Sequence, residues 1–150
     1  MKSFLPFLCT LLILGPAACL RAQDASSSPT PATQTGGEMA AQAAGEVWLA
    51  LTDDARYDVA YTGAAGIFQK LVTQEQWVKM VTAGRGPLGK TVSRRLKDAK
   101  FSPKMAGAPD GQYVVLRFDA TFDKKAAAVE TLTTVLDPDG QWKVCGYFIR

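Results

Sequence analysis

The sequence predicts an α+β fold in which N-terminal helices pack on a four-stranded antiparallel meander. Apolar residues recur at helical spacing from Met39 to Val81, and the pattern changes to alternation after Leu88. The alternation is clearest in Tyr113–Phe122, where every second residue is apolar. Such a segment is typical of a strand with one buried face and one solvated face. The order of the two patterns therefore predicts helices first and a sheet second.

Residues 1–22 have the layout of a secretory signal peptide. Lys2 precedes an apolar run from Phe4 to Leu14, which is shorter than the roughly 20 residues that a membrane span needs. We predict a signal peptide at 1–22, a disordered leader rich in Ser, Pro, Thr and Gly at 23–37, and a single folded domain at 38–150. The expected location is periplasmic or secreted. The alternative to cleavage after Ala22 is lipidation of Cys19, which would give a membrane-anchored lipoprotein.

Composition narrows the chemistry that the chain can perform. It contains no histidine, which excludes His-based triads, proton relays and His-ligated zinc or iron. A chain cleaved after Ala22 keeps only Cys145 of its three cysteines, so it can form no intramolecular disulfide and no thiolate metal site. Cleavage also removes Lys2 and Arg21, two of the 17 basic residues, and leaves 15 against 14 acidic ones. This balance argues against nucleic acid binding, and we expect no cofactor.

Four helical segments are predicted before the sheet. The first is Met39–Leu51, followed by short helices at Ala55–Tyr61 and Ala64–Leu71. A capping box formed by Thr73 and Gln76 opens the fourth helix. The face of the first helix that we expect to be buried consists of Ala40, Ala44, Val47, Trp48 and Leu51.

The last two strands are predicted to form a hairpin whose register follows from its turn. Asp137-Pro138-Asp139-Gly140 suits a type I turn with glycine in the left-handed position, which pairs Leu136 with Trp142. Counting back from this turn places Glu130 opposite Phe148. A loop over residues 123–127 would place Glu130 beside Ala120 on the preceding strand.

The same register places Cys145 on the outer face of the sheet. Its predicted neighbours are Arg117, Asp119, Thr131, Thr133 and Tyr147, a set that suits a solvated face or a dimer surface. A reactive thiolate usually needs a histidine or a helix N-terminus to lower its pKa. We therefore expect Cys145 to be an unreactive strand residue.

Glu130 is the main candidate for a functional residue. It falls on the apolar face, where a carboxylate without a partner is costly. Arg150 is its predicted diagonal neighbour, and Arg94 or Arg95 could approach it from the first strand, Lys90–Phe101. One hypothesis is a pocket acid that acts as a general base or anchors a ligand. The other is a structural ion pair that fixes the C terminus.

Basic residues cluster from the end of the fourth helix through the first strand. We single out Arg94, Arg95, Lys97 and Lys100 as a candidate surface for anionic lipid head groups or acidic envelope polymers. The alternative is a solvated edge strand whose lysines block aggregation. Nearby, the stretch from Arg85 to Gly89 is interpreted as a rigid helix-to-strand connection. Asp53 and its acidic neighbours are explained by capping and solvation rather than by a bound cation.

The order of elements resembles the cystatin-like and nuclear-transport-factor-like (NTF2-like) rolls. That resemblance implies a pocket between the curved sheet and the helices, with Trp77 and Trp142 on its wall. A closer resemblance, over about Gly45 to Arg150, is to the bacterial family called domain of unknown function 4019 (DUF4019). It implies an exported protein with no assigned activity. The residues that carry it are Trp48, Tyr57, Trp77, Arg85-Gly86-Pro87-Leu88-Gly89, Arg95, Pro109-Asp110-Gly111, Tyr113, Phe118, Phe122, Lys125, Glu130-Thr131, Gly140, Trp142 and Gly146-Tyr147-Phe148-Ile149-Arg150.

Three functions fit these observations. The first is an exported, non-enzymatic envelope domain that binds a small ligand or a partner, with Glu130, Arg150, Trp77 and Trp142 as candidate contacts. The second is a pocket enzyme of the NTF2-like type, an isomerase or hydratase that uses Glu130 as its acid or base. The third is a structural homodimer.

Overall fold

The computed structural model describes residues 35–150, and the predicted signal peptide, Cys19 and the leader up to residue 34 lie outside them. Helices occupy the first half of this range and a four-stranded sheet the second, which confirms the predicted α+β order. The helices are α1 (Gly36–Asp53), α2 (Tyr57–Thr62), α3 (Gly66–Leu71) and α4 (Gln74–Arg85), and a short 3₁₀ helix spans Gly86–Leu88. In residues 35–150, no helix combines the length and the apolar character that crossing a bilayer requires.

Helix α1 begins three residues before the predicted start at Met39, within the stretch assigned to the leader. Thr35 caps it by accepting a hydrogen bond from the Glu38 backbone, and the Glu38 carboxylate accepts one from the Thr35 backbone. The predicted buried face is rotated by about one residue, and Val47 is 67% exposed. Gly45 faces the sheet instead, because its missing side chain lets the helix approach closely.

The sheet contains β1 (Thr91–Ser102), β2 (Tyr113–Phe122), β3 (Lys125–Leu136) and β4 (Trp142–Ile149). All neighbouring pairs are antiparallel and the order is β1-β2-β3-β4, so the strands form a meander with β1 and β4 at its edges. The bounds of β2 are those that the sequence predicts. Helix α1 packs its buried residues against one face, and the main core lies between them.

The β2–β3 register differs from the prediction by two residues. Ala128 pairs with Ala120 rather than with Phe122, and Glu130 pairs with Phe118. The connection is shorter than we predicted, because β3 already begins at Lys125. A shift of two residues keeps every side chain on its predicted face.

The β3–β4 register is correct near the turn and wrong beyond it. Leu136 pairs with Trp142 and Thr134 with Val144 as predicted, but Thr133 then pairs with Gly146. Cys145 is thus an extra residue in a β-bulge. The bulge reverses the faces of the rest of β4, so Tyr147 packs on the core and Phe148, predicted to face inward, is 53% exposed.

Candidate functional site

Glu130 lies in the interior and accepts hydrogen bonds from three side chains. It is 0% exposed. Its Oε1 accepts from Arg85 Nη1 at 2.9 Å and from Tyr147 Oη at 2.6 Å, and its Oε2 accepts from Arg94 Nε at 2.5 Å. Both oxygens of the carboxylate therefore have charged or polar donors.

The same two arginines also hold a second carboxylate. Arg94 donates from Nη1 to Asp53 Oδ2 at 2.7 Å and from Nη2 to Oδ1 at 3.0 Å. Arg85 donates from Nη2 to Asp53 Oδ1 at 2.5 Å, and the Thr91 hydroxyl donates to that oxygen at 2.8 Å. We call Asp53, Arg85, Arg94 and Glu130 the charge cluster; it contains two positive and two negative groups.

The charge cluster joins four elements that are distant in the sequence. Asp53 ends α1, Arg85 ends α4, Arg94 comes from β1 and Glu130 from β3. Arg85 also lies over the ring of Phe122 on β2, with its central carbon 5.3 Å from the ring centroid. The cluster therefore fixes the ends of two helices against the sheet.

Burial and pairing act in opposite directions on the pKa values of these groups. Burial alone would raise the pKa of Asp53, but hydrogen bonds from Arg94 and Thr91 and the arginine charges outweigh it and lower the pKa. For Arg94, burial would lower the pKa, and hydrogen bonds to Asp53 and Glu130 raise it instead. Burial, and next the charge of Glu130, raise the pKa of Tyr147, so its phenol stays protonated.

The sequence identified Glu130 and one of its partners but missed the others. Arg94 approaches it as predicted, whereas Arg95 is 84% exposed, with its Nη2 3.9 Å from Asp119. Arg150 is not a partner either: its guanidinium lies over the Phe148 ring at 5.2 Å. The bulge explains this error, because it places Ile149 rather than Phe148 opposite Glu130.

Helical spacing could have found the two members of the charge cluster that the sequence analysis missed, Arg85 and Asp53. Arg85 lies four residues after Val81 and eight after Trp77, both of which are buried on the inner face of α4. Asp53 lies four residues after the buried Leu49 on α1. Our explanation of Asp53 by solvation was wrong, since its carboxylate binds both arginines.

The candidate basic surface on β1 is smaller than the sequence suggests. Arg94 points into the charge cluster and leaves Arg95, Lys97 and Lys100 on the exterior. Asp119 offsets part of their charge, with its Oδ1 3.2 Å from Lys97 Nζ. The surface that remains is an edge strand with interspersed charges of both signs.

Aromatic side chains fill the space between the helices and the sheet. The ring centroids of Trp48 and Trp77 are 5.4 Å apart, Phe68 lies 5.4 Å from Trp77, and Tyr147 lies 5.3 Å from Trp48. Both indole N–H groups donate to backbone oxygens of α2. Trp77 is thus a core residue, whereas Trp142 lies in a separate surface groove beside α1, so the two do not form one pocket wall.

A groove of about 420 Å³ runs between α4 and the second half of β4. We call it the β4 groove. From α4 it is lined by Trp77, Met80 and Val81, and from β4 by Tyr147, Phe148 and Ile149. Met80 and Phe148 are both 53% exposed. Lys125 and Arg85 are the charged residues of its lining, and Arg85 connects the groove to the charge cluster.

Cys145 is half-buried and contacts both the main core and a smaller cluster around Tyr113 and Val135. Burial raises the pKa of its thiol to about 11. An unreactive Cys145 stays a prediction, which the raised pKa favours, and its contacts with the core are not those that we predicted. Among residues 35–150, no group of three or more carboxylate or thiol side chains is arranged to hold a metal ion.

Comparisons with known proteins support one family. A family profile described as a protein of unknown function (DUF4019) matches residues 44–147. Searches of curated proteins and of solved structures find no match, so the likeness to cystatin-like and NTF2-like rolls stays a prediction. The profile covers more than half of the chain and the residues that build both the charge cluster and the aromatic core, and the chain therefore belongs to the DUF4019 family.

Proposed function

We propose that this protein is an exported envelope domain that binds a partner through its surface and catalyses no reaction. The observation that carries the proposal is the environment of Glu130. Its carboxylate is fully buried, and Arg85, Arg94 and Tyr147 donate hydrogen bonds to its two oxygens.

An acid or base role for Glu130 requires access to a substrate. A general base must lie within hydrogen-bond reach of the proton that it takes. Here three side chains occupy that reach, and every buried polar side-chain atom of residues 35–150 has a partner. A substrate would have to displace Arg85 or Arg94 and leave a buried charge without its partner, which is costly. This argues against the isomerase or hydratase alternative.

Aromatic side chains fill the interior, which favours binding at the surface over binding in an internal pocket. Where an NTF2-like pocket is expected, Trp48, Trp77, Phe68 and Tyr147 pack against one another. The β4 groove is open to the surface and combines exposed apolar side chains with the edge of the sheet. Binding at the surface is the role that this arrangement favours.

Native mass spectrometry of the protein purified from the cells that make it tests the proposal. We expect the mass of a chain beginning at Gln23, with no small molecule retained. We expect a Glu130→Gln variant to bind the same partner as the unchanged protein but to melt at a lower temperature. A retained small molecule that Glu130→Gln loses without a change in melting temperature would overturn the proposal in favour of a pocket enzyme. A stable homodimer with no other partner would favour the structural role.

A further inference from the structure

We propose that the second half of the β4 edge, together with the β4 groove, binds an extended segment of a partner protein that carries apolar side chains and an acidic residue. This inference rests on the proposed function and specifies the surface and the chemistry of the partner.

The backbone of β4 offers hydrogen bonds to such a segment. Val129 and Arg150 exchange both of their backbone hydrogen bonds, at 3.2 and 3.1 Å. Bonded and non-bonded pairs alternate along an antiparallel ladder, so the neighbouring pair Glu130–Ile149 is a non-bonded one. The N–H and C=O groups of Ile149, and two residues earlier those of Tyr147, therefore point away from β3 towards the open edge.

The first half of this edge already accepts one backbone hydrogen bond from another segment of the protein. The backbone N–H of Ala65, just before α3, donates to the C=O of Val144 at 2.9 Å. Beyond the bulge at Cys145 no described segment continues this pairing. A partner strand would extend along the edge from the point where the protein's own contact ends.

The two edges of the sheet differ in how they are protected. Charged side chains on an edge strand oppose pairing with another chain. The edge strand β1 carries Arg95, Lys97 and Lys100 on its exterior. By contrast, Tyr147-Phe148-Ile149 has no charge before Arg150, and its Phe148 side chain is exposed beside Met80. β4 is therefore the edge that the sequence leaves available for strand addition.

The charges around the groove indicate that the partner segment carries an acidic residue. No acidic residue lines the groove, and Lys125 makes no ion pair with any residue that the structure describes. Arg150 follows at the end of the strand. A second copy bound here through a two-fold contact would bring these cations together without a carboxylate, which disfavours a homodimer. An extended segment with one Asp or Glu would form hydrogen bonds with the open backbone groups of β4 and an ion pair with Lys125.

A displayed library of random peptides, selected on the processed protein and counter-selected on Met80→Asp, tests this inference. We expect enriched peptides in which apolar residues alternate and one acidic residue recurs. Hydrogen–deuterium exchange with the best synthetic peptide should slow at the amides of Tyr147 and Ile149. Lys125→Glu should weaken binding about tenfold and reverse the preference from acidic to basic peptides. Val92→Asp, at an exposed apolar position on β1 (63% exposed, against 53% for Met80), is the matched control and should leave binding unchanged.

Several outcomes would overturn the inference. These are the absence of enrichment, binding that survives N-methylation of the peptide backbone, or exchange protection that misses Tyr147 and Ile149. A dimer that Met80→Asp dissociates would show that a second copy is the occupant, and competition by dodecanoate that equals the peptide would identify a lipid-like ligand instead. A partner cross-linked in cells that neither Met80→Asp nor Lys125→Glu releases would leave the proposed function standing and refute only this surface.

Discussion

Replacing Glu130 with glutamine should be among the most destabilising single changes in this protein. Glutamine keeps the shape of the side chain but removes its charge, so that Arg85 and Arg94 share only Asp53 and the buried cluster gains a net positive charge. Removing one member of a buried ion pair costs about 3–5 kcal/mol. We expect about 3 kcal/mol, because Asp53 still binds both arginines, and a fall in Tm of roughly 10 °C for a domain of this size.

A second substitution, Arg85→Met, should cost less in the Glu130→Gln variant than in the unchanged protein. In the double variant Glu130→Gln/Arg85→Met the remaining pair, Arg94 and Asp53, is again neutral. The double variant should therefore lose about 2 kcal/mol less than the sum of the two single losses, since the two side chains interact directly. Urea unfolding followed by circular dichroism and tryptophan fluorescence measures all three changes. The losses should depend little on salt, because the charges are buried.

Asp119→Asn is the matched control for a carboxylate on the surface. It removes the exposed pair with Lys97 and should change the free energy of unfolding by less than about 0.5 kcal/mol. The reasoning is refuted if Glu130→Gln costs no more than this control, or if the two single losses simply add.

Three further predictions concern other parts of the structure. The lowered pKa of Asp53 means that its stabilising effect is present above its ordinary pKa of 3.8 and is lost as the pH falls through the lower value of the folded state. Urea midpoints should therefore decline below about pH 4, and Asp53→Asn should flatten that decline; an unchanged decline would assign it to other groups. Because burial raises the pKa of Cys145 to about 11, its alkylation by iodoacetamide at mild alkaline pH should be on the order of 100-fold slower in the folded than in the urea-unfolded protein. Mass spectrometry of the Cys145 peptide measures this, and equal rates would contradict the burial. A Cβ at Gly45 would lie 2.8 Å from Leu116 Cδ1, so Gly45→Ala should destabilise by about 1–3 kcal/mol. Gly84→Ala, with open space around it on α4, should instead stabilise by about 0.5–1 kcal/mol, and the opposite order of the two would refute the close approach of α1 to the sheet.

Local signals in the sequence predicted most elements correctly, because each depends on residues close together in the chain. Thr73 and Gln76 form the capping box that was expected of them. Gly140 adopts the left-handed conformation, with φ 76°, and Asp137 pairs with Gln141 as the turn required. Such features are set by backbone conformations and side-chain hydrogen bonds within a few residues.

The partners of Glu130 depend on contacts between distant elements, and these were predicted only in part. Arg85 and Arg94 lie 45 and 36 residues before Glu130 in the chain. The alternation of β3 could place Glu130 inside, and that placement required a cation nearby. The alternation could not show which arginines pair with Glu130, since the pairing depends on where α4 ends relative to the sheet.

The bulge at Cys145 connects the charge cluster to the proposed binding edge, and it explains why a single misplaced residue changed the expected site. In a regular strand, Val144 and Tyr147 would point to opposite faces. The extra residue lets both point inward, so Val144 fills the core near the turn while the Tyr147 hydroxyl reaches Glu130 at 2.6 Å. The same reversal turns Phe148 outward, and Phe148 also lines the β4 groove. Strand bulges leave no strong trace in a sequence, but their effect extends to the end of the strand. Deleting Cys145 would leave Val144 and Tyr147 two residues apart, so the regular alternation of a strand would keep both side chains inward and Phe148 outward. This deletion should therefore preserve the hydrogen bond from Tyr147 to Glu130 and peptide binding, and the loss of either would refute the assignment of Cys145 as the extra residue. Tyr147→Phe should cost about 1 kcal/mol and leave peptide binding intact.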